Sequence, residues 1–133
     1  TGKIWQGNGA GRPVPVDPPA AGAVLVVART QVFMGFSPSA WTDLDLSGTI
    51  GENAALVLLK VWLSSYTDIF AVRKDGDTYE YYSETQWPHG CALARAESGH
   101  IVVLVPASDS GIIEWRCQNE RSHCSVHIIA YIK

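Results

Sequence analysis

The chain has 133 residues, 47% of them apolar and 17% charged, the profile of one soluble globular domain able to bury a core without staples. A formal net charge of −3 and the lack of a basic run leave no footprint for nucleic acid or an anionic membrane surface. No apolar stretch reaches bilayer-spanning length, so membrane insertion is not expected.

The chain opens at Thr1 without a methionine and shows no signal peptide, which reads as a fragment or a processed product. Residues 1–22 carry Gly7, Gly9, Gly11 and Gly22 together with Pro13, Pro15, Pro18 and Pro19. Such a segment cannot be a helix and makes a poor central strand, so an extended Gly/Pro-rich arm or linker is predicted over 1–22. Gly7-x-Gly9-x-Gly11 has no strand before it and meets Pro13 and Pro15 after it, so it reads as flexible arm rather than phosphate cradle.

From residue 23 to 133, short β-branched and aromatic runs alternate with turn residues. Strands are predicted at Ala23–Ala28, Gln31–Phe36, Thr42–Leu46, Ala55–Leu63, Asp68–Arg73, Tyr79–Tyr82, Cys91–Ala94, His100–Val105, Ile112–Cys117 and Ser125–Ile132. Turn signals such as Ser47-Gly48, Asp75-Gly76 and Ser110-Gly111 separate them. The pattern predicts an all-β domain, an antiparallel β-sandwich of jelly-roll-like type. Ala55–Leu63 has helix-favouring Ala and Leu, but Val57, Val61 and Trp62 and the bounding Gly51 and Ser64-Ser65 favour strand.

Several strands are apolar on both faces. In Ala55–Leu63, Val57, Leu59, Val61 and Leu63 share one face; Leu56, Leu58, Lys60 and Trp62 share the other. Ile101, Val103 and Val105 oppose Val102 and Leu104. In the last run, Val126, Ile128, Ala130 and Ile132 are expected on one face, with Ser125, His127, Ile129 and Tyr131 on the other. A two-layer sandwich covers one face of each sheet, so the second faces require a further cover: an oligomer, or loops folded over the sheet.

Three cysteines, an odd number, argue against a full disulfide framework. Cys117 and Cys124 are candidates for a disulfide across a hairpin; the alternative is that all three cysteines are buried thiols. The C-x6-C spacing matches no common zinc motif. Asp43/Asp45 and Asp75/Asp77 offer too few oxygens for calcium, and Asp-Gly is ordinary hairpin-turn chemistry. His123 and His127 lie about 13 Å apart on a strand, too far for one metal. His89 and His100 add no visible partner set, so neither a metal nor a cofactor is expected. No G-x-S-x-G or H-E-x-x-H string is present, and Glu114 beside Trp115 lacks a second carboxylate at glycosidase spacing. No catalytic residues are assigned. Trp62, Tyr66, Tyr79, Tyr81, Tyr82 and Trp87 gather in one part of the chain, as core filler or as a recognition surface for flat ligands such as sugar rings. Arg73, Tyr82, Trp87 and His89 are the ligand-binding candidates.

Gly2-Lys3-Ile4-Trp5-Gln6-Gly7-Asn8-Gly9-Ala10-Gly11-Arg12-Pro13-Val14-Pro15-Val16 resembles a linker segment of bacteriophage tail-fibre and related virion proteins. Ser39–Ser47, Ala55–Val61, Arg73–Asp77 and Gly111–Trp115 resemble β-sandwich modules at the ends of such proteins. The resemblance implies a non-catalytic virion or extracellular module, a fibre head or capsid appendage. It implies a homotrimer whose partners are its own copies and a cell-surface glycan or another virion protein. The alternative reading is a free-standing carbohydrate-binding module or lectin of a secreted protein.

Overall fold

The computed structural model describes residues 4–7, 13–16, 22–64, 69–78, 92–95, 99–118 and 123–133. Its elements are β1 (Ile4–Gly7), β2 (Pro13–Val16), β3 (Val24–Phe36), β4 (Thr42–Asp45), α1 (Ser47–Ile50), β5 (Ala55–Leu63), β6 (Ile69–Lys74), β7 (Ala92–Arg95), β8 (His100–Ala107), β9 (Ile112–Cys117) and β10 (His123–Ile132). The strands β3-β10-β5-β8 form one sheet, β4-β9-β6-β7 a second, and β1 pairs with β2 in a two-stranded sheet. Every pairing is antiparallel. The chain is all-β in class, as the spacing of apolar runs and turns predicts.

The pairings are nested. β3 pairs with β10, β4 with β9, β5 with β8, and β6 with β7. The chain therefore runs out through four strands and returns alongside them, and the two ends of the path lie together. Gly22 N donates to Lys133 O at 3.2 Å.

Period-two alternation builds the core. Val57, Leu59, Val61 and Leu63 are fully buried, as are Val126 and Ile128 beside them on β10. They join Phe70, Val72, Ile113 and Trp115 of the other sheet in one cluster. Each such aliphatic side chain contributes about 1.5–3 kcal/mol on leaving water. Trp115 links the layers: its ring lies 4.8 Å from Phe33 of β3, edge-on, and 5.7 Å from Phe70 of β6.

The expected strands at Ala55–Leu63 and Ile112–Cys117 appear with those bounds. Ala23–Ala28 and Gln31–Phe36 differ: they are two parts of one 13-residue strand, because Arg29 and Thr30 continue it. The expected turn at Ser47-Gly48 is the start of one helical turn, Ser47–Ile50, that buries Ile50. It is held at its start by Ser47 N donating to Asp45 Oδ1 at 2.8 Å, and the Asp45 pKa is lowered by hydrogen bonding with the Ser47 side chain first and with this backbone N–H second. Gly111 packs against this turn. Its φ is +76°, and a Cβ there would stand 2.6 Å from Gly51 O.

Two expectations are corrected. Cys117 and Cys124 do not face one another across a hairpin. They lie on strands of different sheets, Cys117 opposite Phe70 and Cys124 between Gly35 and Leu63. Both are buried and they are not joined to each other. The second correction concerns the end of β10. Ile128 pairs with Leu59 but Ala130 with Leu58, so Ile129 is an extra residue against β5. One inserted residue swaps every side chain beyond it to the other face. Ala130 and Ile132 therefore join the row of Leu58 and Leu56, while Tyr131 packs against the core.

Candidate functional site

The outer face of the β3-β10-β5-β8 sheet carries the candidate site. Register sorts its side chains into rows across the strands. The first row is Val24–Ile132–Leu56–Pro106 and the second Val26–Ala130–Leu58–Leu104. Both rows are wholly apolar and four strands wide, about 14 Å at normal strand spacing. Val26 is 81% exposed, Val24 60% and Leu104 54%. Large apolar strand residues this open, on a face that no described element covers, form a contiguous patch of the kind found at interaction surfaces.

The third row changes character. Gln31, His127, Lys60 and Val102 stand side by side, followed by Met34, Ser125, Trp62 and His100. Here the sheet dips into an open concavity of about 300 Å³ lined by Arg29, Lys60, Trp62, His100, Ser125 and His127. Arg29 lies where the β3–β10 register shift leaves residues 27–29 without partners on β10. An aromatic row closes this end of the face. His123 lies 5.5 Å from Phe36 and 6.1 Å from Trp62, edge-on to both.

The described lining residues include no carboxylate. Neither Arg29 nor Lys60 forms an ion pair with another described residue. His127 is buried on the floor, and its pKa is lowered by burial first, then by the positive charges of Arg29 and Lys60. Gly99 shapes the wall: with φ at +79°, its missing Cβ would stand 3.3 Å from Trp62 Nε1. Leu63 N donates to Gly99 O at 2.9 Å, which ties this turn to the strand carrying Trp62. The arrangement offers two cations, polar donors and acceptors, and one indole within a single depression.

Of the ligand-binding candidates read from the sequence, Tyr82, Trp87 and His89 lie outside the described residues. Arg73 is not in an open pocket. It is buried on β6, paired with Glu114 at 2.6 Å and stacked 4.1 Å from Trp41. Asp75 and Gly76 make a tight turn after β6, with Asp77 N donating to Lys74 O. Among the described residues, no group of three metal-ligating side chains comes together, and no helix is long and apolar enough to cross a membrane.

Sequence reasoning placed Lys60 and Trp62 on one face but did not join them to Arg29, His100 and His127. Those residues come from separate strands, and only the register brings them together. The signal was a lysine inside the apolar run Ala55–Leu63, a position that needs an outward, partly polar neighbourhood.

Comparison with family models and with curated proteins found no match.

Proposed function

We propose that this chain is a non-catalytic assembly and adhesion module of the bacteriophage fibre-head or capsid-appendage type. It acts at a virion or other extracellular surface. Its fold is a jelly-roll sandwich, and the nested pairing into two four-stranded sheets supports that reading, since a jelly roll is eight strands in two sheets. The module assembles as a homotrimer and binds a host-surface glycan.

One observation carries the proposal: the two four-residue apolar rows on the outer face. A cyclic trimer brings the same patch of each copy toward a common axis and removes it from water. The concavity beyond these rows then stays open in each copy. Three weak sites on one particle raise avidity without new contacts.

Light scattering after gel filtration tests the assembly. The wild-type chain is expected at three times its monomer mass. Val26→Glu and Leu104→Glu, each at an exposed position, are expected to give folded monomers with unchanged circular dichroism. A wild-type monomer overturns the trimer and favours a free-standing carbohydrate-binding module.

A further inference from the structure

We propose that the concavity lined by Arg29, Lys60, Trp62, His100, Ser125 and His127 binds the acid group of an anionic saccharide, a uronic-type carboxylate or a sulfate ester. The saccharide class rests on the adhesion reading above; the anion preference rests on the pocket itself.

Charge argues for the anion. The chain as a whole is acidic, at −3, yet the described residues lining this depression supply a guanidinium, an ammonium and two imidazoles and no carboxylate. The buried cation Arg73 has Glu114 directly opposite, whereas the exposed Arg29 and Lys60 form no ion pair with a described residue. Like charges held together raise the energy of the empty site, and an anion relieves it through charge-assisted hydrogen bonds.

Size and chemistry argue for a sugar. About 300 Å³ matches the lower range of small-ligand pockets, enough for one ring with its acid group. Trp62 supplies an apolar wall for the ring's C–H face. Ser125 and His100 supply donors and acceptors for hydroxyls. A nucleic acid would require a basic track along many phosphates, and the cationic side chains here are confined to one depression.

His127 makes the site sensitive to pH. It faces Arg29 from β3, Lys60 from β5 and His100 from β8, with Ser125 beside it on β10. Its imidazole is kept neutral by burial and by the two neighbouring cations. An anion in the pocket offsets that repulsion and favours the protonated ring. Affinity is therefore expected to rise as pH falls through the histidine range.

The test is two-dimensional NMR titration of the isotope-labelled full chain with glucuronic acid, N-acetylneuraminic acid, glucose 6-sulfate and glucose. The acidic sugars are expected to shift the Trp62 indole signal and to bind more tightly at low salt and at lower pH. The carboxylate and sulfate arms distinguish the two acid groups. Arg29→Gln and Lys60→Gln, both at exposed positions, are each expected to weaken binding about tenfold or more, the size of one hydrogen bond to a charged group. His127→Gln is expected to reduce the pH dependence, with His100 still lining the pocket. Equal affinity for glucose and the acidic sugars overturns this inference and leaves adhesion standing. No binding by any sugar, with the trimer mass intact, overturns the inference and the glycan part of the adhesion reading but not the assembly. A phosphorylated oligonucleotide that shifts the same signals more tightly than the sugars overturns the saccharide class.

Discussion

Arg73 of β6 and Glu114 of β9 stand directly opposite one another, and Arg73 Nε donates to Glu114 Oε2 at 2.6 Å. The side chains are only 9% and 17% exposed, and Trp41 covers the guanidinium at 4.1 Å. Removing Glu114 takes a charged partner away from a shielded guanidinium, so Glu114→Ala is expected to cost about 3–5 kcal/mol in urea unfolding. The double change Arg73→Met with Glu114→Leu removes both charges and is expected to recover most of that loss. A double variant as unstable as Glu114→Ala would contradict this account.

Gly111 has the tightest backbone surroundings of the described glycines on the β-strands and turns from residue 22 onward. A methyl group there meets Gly51 O at 2.6 Å and Ser47 Cα at 3.1 Å, on a residue with φ of +76°. Neither neighbour is the far end of a flexible side chain. Gly111→Ala is expected to destabilise by about 1–3 kcal/mol or more from backbone strain alone. Gly76→Ala gives the comparison: φ is +79°, but nothing lies within 4 Å of the added carbon. Thermal unfolding of the pair separates conformational strain from collision, and equal losses would exclude the collision.

Trp115 is expected to dominate the contact between the two sheets. It is 1% exposed and touches Phe33 of one layer and Phe70 of its own. Trp115→Ala is expected to cost about 3–5 kcal/mol, and Val103→Ala, which removes a smaller side chain, less. Chemical denaturation measures both.

The empty site has a pH dependence of its own. The His127 pKa lies below the ordinary 6.5 in the folded chain, with burial the main cause. The unfolded chain therefore binds the proton more readily. Stability is fully present above 6.5 and declines as pH falls from there toward the lowered folded value. His127→Gln is expected to flatten part of that decline in melting temperature. The same proton that weakens the empty fold strengthens the hold on an anion, so the melting-temperature shift produced by an acidic sugar should grow as pH falls.

The strands were legible where one rule governed them. Ala55–Leu63 alternates cleanly, so both its bounds and its two faces follow from the sequence. At β10 the same rule fails after Ile128, because the extra residue Ile129 leaves no compositional trace; Ala130 and Ile132 look like a continuation of the inner face. The apolar second faces were visible as a pattern, yet their arrangement into two complete rows required the register of four strands. The cationic depression was hidden for the same reason. Arg29, Lys60, His100 and His127 are distant in sequence, and each alone reads as an ordinary surface residue. Arg73 misled in the opposite direction: in a run ending at an Asp-Gly turn it looks exposed, and only the position of Glu114 opposite and Trp41 above explains its burial.

The clasp between Gly22 N and Lys133 O has a mechanical meaning. β3 and β10 are antiparallel neighbours, and β3 is an edge strand of its sheet. A pull that separates the two ends therefore loads their ladder one bond at a time, starting at this clasp. Val24 and Val26 peel away before Gln31 and the floor of the depression are disturbed. A load applied between Gly22 and Lys133 would therefore open the apolar rows before the cationic depression.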